Sequence, residues 1–415
     1  MYNLHLSAEQ LEIRDTVRDF AARQIKPFAL KPARIEALDR SLPADLLHKA
    51  SQLGLRTLAL SEDHGGAGAD NLTGCIVAEE LAAGDPDVAS VLAETSRLAH
   101  LLFDRAMTGE QRERFLPQLA DDGCHLAFAD READHDGALG INYHRPDTGE
   151  AEVKTKAART GKGDWVLSGH KLCVANAPLA QLFAVTARLE PHGSDSDAVG
   201  TLLVPRDTPG LSVVPHDGPD RWFHGTCGEV SFKGCQVAGQ NLLGRGTHDL
   251  LRDDAGRGAP LSAAVNLGIG RAAYEAALDY AQLRIQGGRR IVEHQAIGAK
   301  LAEVAIRLEV ARNAIWQAAW ASDHPDAVAD RSLPDLPLAT LARAFTAEAV
   351  HRAVKDAAEC FGAMGVMRDM PLQKYVRDAL MCLHADGGVS DGKLKLAEAI
   401  VGYRRTGAAS LRAAE

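Results

Sequence analysis

The chain has 415 residues, 46% of them apolar, enough for substantial cores in two or three domains at roughly 100–200 residues each. A formal net charge of −10 argues against nucleic acid or an anionic membrane as the main partner. Seven cysteines, at 75, 124, 173, 227, 235, 360 and 382, form no close pairs, so neither a disulfide framework nor a zinc site is expected, and a cytoplasmic setting suits them.

The first twenty residues carry charges where a signal peptide needs its apolar core, and no run approaches the roughly 18 apolar residues of a membrane span. Ser7 and Gln10 form a capping box, followed by Ile13, Val17, Phe20, Ala21 and Ile25 on one helical face, with Pro27 as the expected break. Helical patterns follow over about 43–53, 71–83 and 87–106, and Thr108 with Gln111 opens another. Between them Leu60–Gly68 reads as a tight glycine turn.

From about residue 124 the apolar period shortens. Segments 152–157, 164–175, 182–189, 199–205, 211–215 and 229–243 are β-rich and separated by Gly, Pro and Asp, which predicts a small antiparallel β domain. Long helical patterns return over about 260–286, 293–323, 336–361, 371–385 and 391–406. The expected class is α+β, with an N-terminal helical domain (1–123), a middle antiparallel β domain (124–248) and a C-terminal four-helix-bundle-type domain (249–415).

Some motifs match by letter only. Gly268-x-Gly270-x-x-Ala273 has the dinucleotide spacing but lies inside a predicted helix, where small residues serve close packing. Glu132-x-Asp134-x-Asp136-Gly137 lacks the glutamate a calcium loop needs, since Tyr143 stands there. The sixteen histidines show no zinc-protease spacing and are expected on the surface.

The informative stretch is 357–388. Gly362, Ala363 and Gly365 break an apolar run, Pro371 restarts a helix, and Asp386-Gly387-Gly388 ends it. An Asp before Gly-Gly commonly caps a helix or forms a turn. The order Phe361-Gly362-Ala363-Met364-Gly365, Pro371, Arg377-Asp378, Asp386 nevertheless resembles the C-terminal signature of the acyl-CoA dehydrogenase superfamily. The likeness extends over nearly the whole chain, through Gly169-His170-Lys171, Asn176-Ala177, the run from Pro205 to Gly210, Asn241–Gly244 and Tyr280-Ala281-x-x-Arg284.

This resemblance implies an FAD enzyme in which Asp386 stands where a glutamate takes the substrate α-proton, one methylene short. It implies that Arg284 meets the FAD pyrophosphate, commonly from a neighbouring subunit of a homodimer or homotetramer, and that Gln295 lies at the cofactor. A planar guanidinium suits a diphosphate. Gly362, Ala363 and Gly388 join the expected cofactor contacts. Glu359 replaces the family glutamine before the glycine turn. Arg131 replaces a threonine of the flavin loop, and Gly137 replaces a substrate-binding serine. Cys173 and Ala175 stand where tryptophan and threonine cover the isoalloxazine. Ala259-Pro260 replaces an arginine-proline that helps hold acyl-CoA, and the alternative base position falls on Gly258.

Three readings follow from these departures. The chain oxidises an acyl-CoA or acyl-carrier thioester and passes electrons to an electron-transfer flavoprotein or dioxygen. It is an oxygen-using oxidase or monooxygenase on the same scaffold. Or it is a non-catalytic acyl-binding or structural relative.

Overall fold

The computed structural model describes residues 5–132, 153–190, 199–216, 218, 223–248, 250–251, 259–324, 326, 336–384 and 388–401. The order is helices, sheet, helices. Helix α1 (Ala8–Phe20) starts on the Ser7 capping box, with both reciprocal bonds at 3.0 Å. Pro27 does not end it. The chain widens into a π turn (Ala21–Ile25), closed by the Lys26 amide donating to the Ala21 carbonyl, and continues as α2 (Lys26–Ala29) with Pro27 in its first turn. Short α3 (Pro32–Ile35) and α4 (Ala44–Gln52) follow.

Helix α5 (Asn71–Gly84) is buried almost all round, which forces partners on its two acids. Arg18 and Arg271 grip the Glu80 carboxylate at 2.8 and 2.6 Å, and Arg312 meets Glu79 at 2.7 Å. Asp85 separates α5 from α6 (Pro86–Ala99) and caps the latter through the Asp87 and Val88 amides. The predicted helix over 87–106 departs from α geometry at His100. Its last seven residues form a π turn, in which His100 and Asp104 lie 2.8 Å apart and Asp104 also accepts from Ser61 at 2.7 Å. Helix α7 (Gly109–Leu119) carries the second capping box, at Thr108.

The middle sheet runs β1 (His125–Ala129), β4 (Ala180–Glu190), β2 (Lys156–Arg159), β3 (Trp165–Ala175), β7 (Cys227–Val237), β6 (Leu211–Pro215), with β5 (Val199–Pro205) on β4. Four of its six pairings are antiparallel as expected, but β1 and β2 both run parallel to β4. Long crossovers separate these strands in the chain, which is what parallel pairing requires. Alternate residues of β3, β4 and β7 fill one core with Trp165, Phe183 and Phe232.

The C-terminal helices are α8 (Ala259–Leu283), α9 (Gln295–Asp323), α10 (Leu338–Cys360), α11 (Leu372–Cys382) and α12 (Gly388–Val401). The first four share their core with α1, α5 and α6. The dinucleotide-like glycines do pack helices. A Cβ on Gly268 would lie 2.5 Å from the Glu79 carbonyl, and one on Gly270 would lie 2.6 Å from Leu308. Among the described residues no helix is long and apolar enough to cross a membrane, and no acidic, His and Cys cluster is arranged to hold a metal.

Candidate active site

Two groups of the expected residues come together, each on its own elements. The first sits at one edge of the sheet. Strand β1 runs on to Arg131, whose carbonyl accepts from the Leu172 amide at 2.9 Å, so the loop after β1 lies against β3 beside Cys173. There the register of β3 against β7 shifts between Lys171 and Val174, and Cys173 takes φ +48°. Such a bulge re-aims a side chain out of the strand's alternation. Ala175, beyond the bulge, is paired with Cys227 and is exposed.

Behind this edge lies a buried ion pair. Lys171 is fully buried, with Nζ 2.7 Å from Glu132 Oε1 and 3.0 Å from the Asp130 carbonyl oxygen. Glu132 also accepts from the Lys154 and Thr155 amides, at 2.7 and 3.0 Å, which fixes the loop that carries Arg131. Burial lowers the Lys171 ammonium against the pull of Glu132 and Asp130. Burial raises the Asp130 carboxyl, but the His248 ring 3.3 Å away and the Lys171 ammonium bring it to about 2. Lys171 shares the inward parity of Trp165 and Leu167. A charged residue at an inward strand position was the available signal, and the resemblance quoted it without a role.

The second group gathers where α8 ends. The Arg284 amide closes the last turn on Tyr280, and its carbonyl accepts from Ile291 at 2.9 Å, pinching off a hairpin of β8 (Ile285–Gln286) and β9 (Arg289–Arg290). Gly287 and Gly288, at φ +64° and +81°, make its tip. Every residue from Gln282 to Arg290 is exposed, including Arg284, Arg289 and Arg290. Gln295 is the first residue of α9 and is exposed there. One helical turn inside, the Tyr280 ring stacks on Phe361 at 4.3 Å and 12°, bringing the hairpin root to the turn Gly362–Val366. Gly362 takes φ +56° with open space around its Cβ position, and Ala363 beside it is exposed. Gly365 is a packing residue, since a Cβ would lie 2.3 Å from the Ala358 carbonyl. Glu359 pairs with Lys300 of α9, so its charge is compensated within the chain.

Gly388 begins α12 at φ +75°, 2.9 Å from the Leu383 carbonyl at its Cβ position, which is reason enough for a glycine. Asp386, Gly137 and Gly258 lie outside the described residues. Pro260 and Leu261 line a cleft, partly open to solvent, with Leu58, Val77, Leu81 and Leu92.

The expectation of surface histidines fails at His125 and His224. His125 is 3% exposed and bonded to Thr95 at 3.0 Å, and burial holds its ring down at about 4. His224 enters a charge cluster where the three units meet. Arg34 lies 2.8 Å from Asp85 and 3.0 Å from Asp87, and Lys374 lies 2.6 Å from Asp378 and 3.4 Å from Asp85. Arg40 approaches Asp87 and Asp378 at 3.6 and 3.9 Å. The His224 ring places Nδ1 3.4 Å from Asp87 and Nε2 3.0 Å from the Asp378 carbonyl, and the Gly225 amide donates to Asp87 at 3.1 Å. Burial would lower this imidazole, but Cys382, Asp87 and Asp378 raise it to about 10. No local pattern in the sequence marks this cluster, because its members are far apart in the chain.

The donors of the second group suit a diphosphate. Arg284 and two further guanidiniums stand outward beside an exposed amide and a side-chain-free turn. Residues 7–122, 146–235 and 244–391 match, respectively, the N-terminal, middle and C-terminal domains of acyl-CoA dehydrogenase. A probable acyl-CoA dehydrogenase, YngJ of Bacillus subtilis, is 29% identical over 408 residues, 96% of this chain and all of that one. Butyryl-CoA dehydrogenase from Megasphaera elsdenii superposes with a TM-score of 0.81 at 23% identity, covering 96% of this chain and 100% of that one. The prolyl acyl carrier protein oxidase AnaB superposes with a TM-score of 0.77 at 23% identity, covering 95% and 99%. With helical, β and helical units matched in order and the signature turn stacked beside its arginine hairpin, the chain belongs to the acyl-CoA dehydrogenase family of flavin-dependent oxidoreductases.

Proposed function

We propose that the chain oxidises an acyl thioester, on CoA or a carrier protein, in specialised metabolism in the cytoplasm, with FAD held noncovalently between subunits of a homo-oligomer. The observation that carries the reading is the exposed assembly of Arg284, Gln295 and Gly362 around the Tyr280–Phe361 stack. An outward-facing arginine hairpin in an acidic protein supports a diphosphate bound against a second copy, with Arg284 as the clamp. When bound, the flavin supplies the two-electron acceptor for the β-hydride.

The chain's own part is positional and acid–base. Asp386 takes the α-proton at its carboxylate, and a base misplaced by about 1 Å costs about 10²-fold unless substrate or backbone compensates. The fixed loop at Arg131 and the bulge at Cys173 shape the flavin side. Apolar walls beside Pro260 and Leu261 support an acyl group of hydrocarbon character. The purified protein should show a flavin absorbance, bleach anaerobically with its thioester, and recover with an electron-transfer flavoprotein. A colourless protein that takes up no FAD in a titration contradicts the reading.

The oxygen-using alternative has one observation in its favour. At Cys173 a short side chain on a bulge occupies the place of the aromatic cover, which leaves more room for dioxygen. Recovery in air that outpaces recovery with the electron-transfer flavoprotein selects this alternative.

A further inference from the structure

The cleft beside Pro260 and Leu261 changes character along α6. Its stripe on that helix is Leu92, Ser96 and His100, at one-turn spacing, so an apolar wall runs into a polar one. The other polar side chains of the cleft are engaged. Ser96 accepts from the Ala59 amide at 2.9 Å, Arg97 holds Glu94 at 2.9 and 3.0 Å, and Asp70 caps α5 through the Thr73 amide at 2.7 Å. Asn71 is tied to Asp323. His100 differs from these. Its side chain is 40% exposed, its Nδ1 lies 2.8 Å from Asp104, and its Nε2 makes no hydrogen bond among the described residues.

The ring is held from behind. His100 opens the π turn that follows α6, a widened turn of the kind frequent at functional sites. On the Asp104 carboxylate converge the Ser61 amide at 3.0 Å, the Ser61 hydroxyl at 2.7 Å, His64 Nδ1 at 2.7 Å and His100 Nδ1. Burial would raise this carboxyl, but the bonds from His64, Ser61 and His100 hold it below its ordinary value. A carboxylate only accepts, so the Nδ1 of His100 carries a hydrogen and the orientation of the ring is fixed. Asp104 does not line the cleft, so the ring edge turned away from it, with Nε2, is the part that does. In the neutral ring Nε2 accepts, and in the imidazolium it donates. A hydroxyl satisfies both states. A carboxylate would suit only the imidazolium and would meet Asp70 in the same cleft, where Arg97 is already held by Glu94. A methyl end would displace water from Nε2 and return no hydrogen bond.

We propose that His100 is a specificity-determining residue, selecting acyl groups that carry a hydroxyl on the hydrocarbon tail over those that end in a bare chain. This rests on the reading of the cleft as the acyl site. Leu58, Leu81 and Leu92 take the methylenes, Nε2 of His100 takes the hydroxyl, and Asp104 positions the ring. Because the hydrogen bond is made away from the reacting carbons, it acts on binding and leaves the flavin-reduction step alone. One hydrogen bond at a half-exposed group is worth about tenfold in affinity.

The test uses the full chain with FAD added. It is titrated calorimetrically with straight-chain acyl-CoA esters from hexanoyl to dodecanoyl and with their ω-hydroxy counterparts. At the best-fitting length the hydroxy ester should bind about tenfold more tightly. His100→Leu should bring the pair within about twofold, and His100→Gln, which keeps a hydrogen-bonding head, should restore part of the gap. In protein with isotope-labelled histidine, hexanol alone should move the nitrogen resonance of the His100 Nε2, identified by its loss in either variant. Equal affinities at every length, a gap unchanged in His100→Leu, or a His100 resonance that hexanol does not move overturns the proposal. If neither series of esters binds, the hexanol response decides it; if the variants do not fold, the wild-type gap decides it. Failure of the proposed oxidation reads differently, as a flavin that no ester bleaches whatever the relative affinities.

Discussion

Asp386 is a carboxylate on a shorter arm than the family glutamate, so the two substitutions there ask different questions. Asp386→Asn keeps size and hydrogen-bonding shape but removes the base. Substrate-driven flavin reduction should fall about 10²–10⁴-fold with the FAD absorbance unchanged. Near wild-type reduction in stopped flow shows that Asp386 is only a turn residue. Arg284→Ala deletes an exposed guanidinium that closes no described ion pair. It should weaken FAD retention by at least about tenfold in a titration while leaving the melting temperature of the apoprotein within a degree or two. Equal retention by the variant sinks the clamp assignment. At this scale Arg284, Gln295 and the Gly362 turn were legible, because a motif keeps its members adjacent in sequence. Lys171, His224 and Glu132 were not, since what makes each of them matter is a partner from another strand or unit.

The instructive element is β3. Its bulge holds Cys173 in the left-handed region, which costs a non-glycine residue about 1–2 kcal/mol, so Cys173→Gly should raise stability by about 1 kcal/mol in urea denaturation. A lower midpoint rejects strain at this position. The inward Lys171 on the same strand gives the opposite expectation. Glu132→Gln leaves a buried ammonium without its counter-charge and should cost about 3–5 kcal/mol by the same measurement. Helix starts were readable from capping boxes at Ser7 and Thr108, and strands from short β-rich runs. The two parallel pairings and the π turns at 21–25 and 100–106 were not, because register and turn width are decided by what packs against a segment.

On the scale of the molecule, a charge cluster at His224 links all three units, beside an apolar core in which Leu98, Leu102 and Phe115 pack on Leu126, Leu182 and Leu203 of the sheet. The pH dependence follows from which state holds each proton more tightly. His224 is raised from 6.5 to about 10, so its contribution is complete below pH 6.5 and is lost as pH rises towards 10. His125 is lowered from 6.5 to about 4, so unfolding takes up a proton in that window and stability falls as pH drops through it. Asp130, lowered from 3.8 to about 2, extends the loss at still lower pH. Melting temperature should therefore peak near pH 6.5, and a folded His224→Gln should flatten the alkaline side. A melting temperature that climbs from pH 7 to 9 contradicts this account.

The same cluster limits what can be built from this chain by recombination. Arg34, Arg40, Asp85 and Asp87 come from the first unit, His224 from the second, and Lys374 and Asp378 from the third. A chimera that takes its first unit from a relative lacking those aspartates would bury Lys374 and His224 with one carboxylate left between them. Crossovers at the boundaries between units would be the most damaging here, whereas exchanges that leave all seven of these residues in place would keep the cluster whole.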